Sequence, residues 1–212
     1  MIAPPPLTSS SLASAIEELV DRDADLAGIV HRFGPPPLWD REPGFPTLLH
    51  IVLEQQVSLA SARAAFDRLR AAADPLTPSR FLELSDAELL AIGFSRQKAR
   101  YGRALATAVD SGALDLGSLG RLEDDDVHRA LQAVPGIGPW TSTIYLLMVL
   151  GRPDAWPVGD IALAESVGEV KGLGRRPPAS EMAALGEAWR PWRSVAARLF
   201  WHDYLGRRGR TG

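Results

Sequence analysis

Apolar residues recur at helical spacing along almost the whole of this chain, and no stretch of four to eight residues shows sustained β-branched alternation. A sheet needs such stretches, so the pattern points to an all-α fold of about ten helices. Short amphipathic helices are predicted over 12–20 and 26–33, the second stopped by Gly34 and the rigid Pro35-Pro36-Pro37 connector. Further helices are predicted over 47–56, 59–73, 95–109, 124–134, 139–150, 161–170, 180–189 and 191–205. One more follows the capping-box spacing Ser85-Asp86-Ala87-Glu88 and ends at Gly93. With 212 residues the chain can bury one core or two small helical lobes. The expected organisation is one functional unit of two lobes. Residues 45–150 form the central lobe with a hairpin at 131–141, and 11–44 with 151–205 form the second. A loose lead over 1–10 and a basic tail over 206–212 flank them.

Composition narrows the function classes. No run approaches the roughly 18 apolar residues of a membrane span, and Met1-Ile2-Ala3-Pro4-Pro5-Pro6 has neither a basic head nor an apolar signal core. The absence of Cys removes disulfides, thiolate nucleophiles, zinc–thiolate sites and iron–sulfur clusters. His31, His50, His128 and His202 show no metal-ligand spacing, so no metal site is expected. A cytoplasmic protein fits best. The net charge of −3 hides a gradient: residues 1–137 hold 13 basic and 19 acidic side chains, residues 138–212 hold 10 and 7. Arg175, Arg176, Arg207, Arg208 and Arg210 therefore either face phosphate or are solvated surface charges.

The most informative segment is Leu131-Gln132-Ala133-Val134-Pro135-Gly136-Ile137-Gly138-Pro139-Trp140-Thr141, where a turn with two glycines joins two apolar-faced helices. Without Cβ atoms at Gly136 and Gly138, a DNA strand can approach the main chain, and amides at the start of the helix from Pro139 can meet a phosphate. The plain alternative is a tight helix–helix connection, which Gly-x-Gly alone would favour.

The longer string decides between them. It resembles the helix-hairpin-helix of the DNA glycosylase superfamily (HhH-GPD), in which a Gly/Pro-rich loop and an aspartate follow the hairpin. Here Pro157, Gly159 and Asp160 occupy those places, with Asp160 standing 22 residues beyond Gly138. Glu54-Gln55-Gln56-Val57-Ser58 resembles the family's intercalating loop, and Gly93-Phe94-Ser95-Arg96-Gln97-Lys98-Ala99 its second helical turn. Trp189-Arg190-Pro191-Trp192-Arg193-Ser194 with Trp201 resembles the C-terminus of 3-methyladenine DNA glycosylase II, in a compact form without the N-terminal β domain of some relatives.

The resemblance implies base excision repair of duplex DNA by a monomer in the cytoplasm or nucleoid, with a cleft between the lobes for DNA and the damaged base. Glycosylase–lyases of the superfamily carry a Schiff-base lysine two residues after the second hairpin glycine; here that residue is Trp140, and Lys98 and Lys171 are the only lysines. Monofunctional hydrolysis of alkylated purines such as 3-methyladenine and 7-methylguanine is the expectation. The rivals are a non-catalytic DNA-structure-binding module and a glycosylase–lyase. A purine alkylated on a ring nitrogen is cationic and already a good leaving group. One carboxylate then suffices, and Asp160 at a helix N-terminus would stabilise the oxocarbenium-like sugar or activate water. The alternative for Asp160 is a simple N-cap.

By resemblance Gln56 takes the place of the side chain that fills the hole left by a flipped base. Trp140 and Trp201 align with aromatic positions of the base pocket, where electron-rich faces would hold a cationic base. Ile144, Tyr145 and Gln55 complete the candidate pocket, while Trp39, Trp156, Trp189 and Trp192 read as core. Expected DNA contacts are Gln56, Gly136, Ile137, Gly138, Thr141, Arg96, Lys98 and Arg193. No cofactor is required, although the resemblance allows a monovalent cation on the hairpin carbonyls.

Overall fold

The computed structural model describes residues 4–209. Among them the chain is all-helical, with twelve α-helices, two short 3-10 turns and no strand. The chain folds as two compact units: the first is Arg41–Tyr145, the second is Pro4–Asp40 together with the chain from Leu146 onward.

The first unit contains α3 (Phe45–Glu54), α4 (Leu59–Ala72), α5 (Pro78–Glu83), α6 (Asp86–Ile92), α7 (Arg96–Asp110), α8 (Asp124–Gln132) and most of α9 (Pro139–Met148). Its centre is α3, whose Phe45, Leu48, Leu49, Ile51, Val52 and Leu53 are all buried and which packs on α4 and α7. Ser58 caps α4 and Ser95 caps α7 by accepting the N–H of Ser61 and Lys98. The Ser85/Glu88 capping box opens α6 and left-handed Gly93 closes it, as the spacing requires. One helix and one helix end stand out against expectation. Thr77 caps and Pro78 opens the unforeseen α5, whose Phe81 fits against Gly102 so closely that a Cβ there would lie 2.6 Å from its ring. Helix α3 stops at Glu54, two residues early, because Gln55 turns to an extended ψ of 124°.

The second unit contains α1 (Ser9–Arg22), α2 (Ala24–Phe33), α10 (Ile161–Val170), α11 (Ala179–Gly186) and α12 (Arg193–Gly206). Helix α12 packs on α2 and α10, and an unbroken run from Ser194 to Trp201 is buried. Burial on this helix takes in two charged side chains, Arg198 and Asp203. Burial pushes the Arg198 guanidinium down to about 10, against the opposing field of Asp40. It is satisfied by three carbonyls, those of Leu38, Ser194 and Leu147, at 2.7–3.0 Å. The lead is not loose where it is described. Leu7 is buried and donates its N–H to Gly151 O at 2.7 Å, Arg152 donates to Pro4 O, and α1 begins at Ser9 behind its Thr8 cap. Residues 1–3 and 210–212, including Arg210, lie outside the described residues.

Candidate functional site

In the first unit, α8, the turn and α9 form the helix-hairpin-helix. Val127 and Leu131 anchor α8, and the turn closes through Ile137 N–H to Val134 O at 3.1 Å. The His128 ring nitrogen Nδ1 and Gln132 Nε2 lie 2.7 and 3.0 Å from the buried Ser142 hydroxyl, joining α8 to α9. The two glycines do different work. Gly136 sits at φ +94°, and a Cβ there would lie 2.2 Å from the Tyr101 ring, so it is required by the packing. Gly138 has ordinary backbone, and a Cβ there would meet nothing within 4 Å. Its bareness serves no internal packing, and its N–H donates to no group among the described residues.

The structure corrects several expected contacts here. Ile137 and Thr141 are 5% and 1% exposed, so their side chains belong to the core and only main chain at Ile137 can face a ligand. The Gln55 amide is turned to the hairpin, donating to Gly136 O at 2.9 Å and Thr141 Oγ1 at 2.8 Å, rather than to a base pocket. Ile144 and Tyr145 are buried. Burial pushes the Tyr145 phenol up to about 12, with the Gly44 backbone pulling the other way. Trp140, on the first turn of α9, stays half-buried. Lys98 is committed to the Leu53 carbonyl at the end of α3, and partial burial lowers its pKa. Arg96 is exposed at the start of α7. Gln56 is exposed and held at φ +57°, an uncommon conformation for a residue with a Cβ, beside exposed Val57 and Leu59.

In the second unit, the Trp156–Asp160 loop is tightly built. The Trp156 indole donates to Met182 O at 2.8 Å and leaves no room for a side chain at Gly186. The N–H of Val158 bonds Trp156 O and that of Asp160 bonds Pro157 O, delivering Asp160 to the N-cap of α10. One carboxylate oxygen, Oδ1, accepts from Leu163 N at 2.8 Å and from Trp201 Nε1 at 3.1 Å. Asp160 is half-buried, Gly159 before it is exposed, and Ile161 after it is 62% exposed. Trp201, expected as a base-stacking ring, is itself buried and uses its edge to orient the carboxylate. Sequence spacing could not show this, because the partners lie 41 residues apart.

Asp154, the other carboxylate of the loop, is consumed by Arg190 and by a two-pronged pair with Arg193 at 2.8 and 2.9 Å. Arg193, expected to contact phosphate, also bonds Glu187 and is thus a structural residue. The C-terminal arginines are likewise spent internally: Arg175 on Glu181, Arg207 on Asp203 and Arg208 on Glu165. Among the described residues no group of three or more His, Asp or Glu side chains is placed to hold a metal ion. No helix among them is long and apolar enough to cross a membrane.

Comparison with known proteins places this geometry. Over 122 residues the chain is 29% identical to a DNA-3-methyladenine glycosylase of Bacillus subtilis, which covers 58% of this chain and 40% of that protein. It spans 40–44% of the length of the first curated relatives it matches, from Bacillus subtilis and Mycobacterium tuberculosis. The structure of Mag1, a Schizosaccharomyces pombe 3-methyladenine DNA glycosylase solved with abasic DNA, superposes with a TM-score of 0.81 at 24% identity. It covers 89% of this chain and 95% of that one. A DNA-3-methyladenine glycosidase from Bacillus halodurans gives 0.73 at 29% identity, over 93% and 90% of the two chains. The family model for HhH-GPD superfamily base excision DNA repair proteins matches residues 49–191, from α3 through the hairpin and Asp160 to the approach of α12, and the chain belongs to that family.

Proposed function

We propose that the chain removes alkylated purines, of the 3-methyladenine and 7-methylguanine class, from duplex DNA by hydrolysing the N-glycosidic bond. The observation that carries this reading is the Asp160 carboxylate, held at the mouth of α10 by the Leu163 and Trp201 N–H groups. As the C1′–N bond breaks, its electron pair leaves with the cationic base, which departs neutral. Asp160 stabilises the positive sugar, and a water oxygen bonds C1′ while its proton passes to the carboxylate and then to solvent. In the first unit, the open amide of Gly138 meets a DNA phosphate and Gln56 enters the space vacated by the flipped base. Trp140 offers an aromatic face to the cationic purine.

Hydrolysis rather than amine chemistry is supported by the lysines. Lys98 is bound to Leu53 O and Lys171 is gripped by Asp23 and Asp25 at 2.8 Å, while Trp140 stands where a Schiff-base lysine would. The reaction requires no cofactor. Val134 O, which accepts the Ile137 N–H, keeps a second lone pair that suits a monovalent cation, and no step runs through one. The test is release of base from methylated duplex DNA, followed by a search for strand nicking without added alkali. Release without nicking is expected. Nicking, or a borohydride-trapped adduct, would overturn the hydrolytic reading, and no release would overturn the substrate class.

A further inference from the structure

Three consecutive residues at the end of α3 are each tethered separately. The Leu53 carbonyl takes the Lys98 ammonium, and the Glu54 carboxylate takes both terminal nitrogens of Arg41 at 3.0 Å. Gln55 reaches furthest. Its Nε2 places one hydrogen on Gly136 O and the other on Thr141 Oγ1, so both of its donors are used on the two sides of the hairpin turn. Immediately afterwards the chain projects: Gln56 is exposed in the left-handed region, and Val57 and Leu59 are 43% and 61% exposed. A residue with a Cβ keeps such backbone only where its surroundings hold it.

We propose that Gln55 is a positioning residue that locks the projecting Gln56 turn to the hairpin, so that the hairpin's hold on the DNA backbone backs the displacement of a paired base. This rests on the glycosylase reading above. A turn pressed into a duplex is pushed back by the stacking and pairing that it must break. If the turn were free to yield, its side chain would be displaced instead of the base. The Gln55 amide passes that load into Gly136 and Thr141, which flank Gly138, where a Cβ would meet nothing within 4 Å and the N–H donates to no group among the described residues. The geometry also fixes the residue type. Glutamate has nearly the same shape, yet it would set a carboxylate against the Gly136 carbonyl and lose the donor.

The expectation is a dependence on what the lesion is paired with. Base release by wild type, Gln55→Ala, Gln55→Glu and Thr141→Val is compared on 7-methylguanine opposite cytosine and on the same lesion opposite an abasic site. On the paired lesion, Gln55→Ala and Gln55→Glu lose about tenfold or more, while opposite the abasic site they lose less than about twofold. Thr141→Val, which spares the bond to Gly136, falls between and serves where Gln55→Ala fails to fold. Fluorescence of 2-aminopurine placed beside an abasic analogue reads insertion without any chemistry: wild type brightens it on binding and the Gln55 variants do not. Equal losses on both substrates would make Gln55 part of the base pocket or a folding residue and overturn the proposal, as would undiminished release from the paired lesion. Absence of base release by wild type, with the fluorescence change intact and dependent on Gln55, would sink the glycosylase reading and leave the coupling standing. A wild type that leaves 2-aminopurine dark would sink the coupling itself.

Discussion

At the scale of single residues, Asp160 has two possible duties, capping α10 and chemistry, and the Leu163 contact serves both. Asparagine separates them. It caps helices as well as aspartate does, but brings no negative charge to an oxocarbenium-like sugar. Asp160→Asn should therefore keep its melting temperature within about 4 °C of wild type while base release falls about a hundredfold or more. Duplex affinity should hardly change. A variant that still releases base at the wild-type rate would return Asp160 to a capping role. The position of this residue was legible in the sequence, because Pro157, Gly159 and the apolar segment from Ile161 mark a turn entering a helix. Its partner was not. Trp201 is one indole among six, and only the fold shows that its N–H lies 3.1 Å from the carboxylate. Arg193 misled for a related reason: a guanidinium looks free until the Asp154 that neutralises it, 39 residues away, is brought alongside.

At the scale of the element, the hairpin shows how far a motif can be read. Both glycines were visible, but not that they answer to different constraints, since φ and neighbours belong to the folded chain. Gly136→Ala must adopt φ +94° and displace Tyr101, so a loss of about 2–4 kcal/mol in stability is expected. Gly138→Ala meets nothing, so stability should stay within about 0.5 kcal/mol while affinity for any duplex falls about fivefold, near 1 kcal/mol. Denaturant melts and anisotropy on undamaged duplex check the pair. A Gly138→Ala protein that bound normally would remove the hairpin amide from the interface. The end of α3 was less legible than the hairpin because neither glycine nor proline marks it. Helix α3 ends at Glu54, and the side chain of the next residue, Gln55, bonds residues 81 and 86 positions away. Helix α5 went unseen because six residues carry too little periodicity.

For the whole molecule, the charge gradient along the sequence does not show which cations lack an internal counter-charge. Although residues 138–212 carry the positive balance, their arginines are largely spent on nearby carboxylates. Arg68, Arg70, Arg96, Arg100 and Arg121 of the first unit make no ion pair among the described residues. Arg96 and Arg100 are exposed four residues apart on α7, and Arg100 lies over the Tyr101 ring that packs against Gly136. A cation without an internal carboxylate can exchange its counterions for phosphate, and each such contact contributes about 0.9 to the slope of log affinity against log salt. Arg96→Ala with Arg100→Ala should thus flatten the slope by about 2 and weaken damaged and intact duplexes alike. Arg175→Ala with Arg208→Ala removes the same formal charge but frees Glu181 and Glu165, and should change the slope by less than about 0.5. Anisotropy titrations across a salt series measure both. If the C-terminal pair carried the larger slope change, the DNA backbone would be held by arginines that break their internal ion pairs on binding, and the first unit would lose its place as the main electrostatic contact.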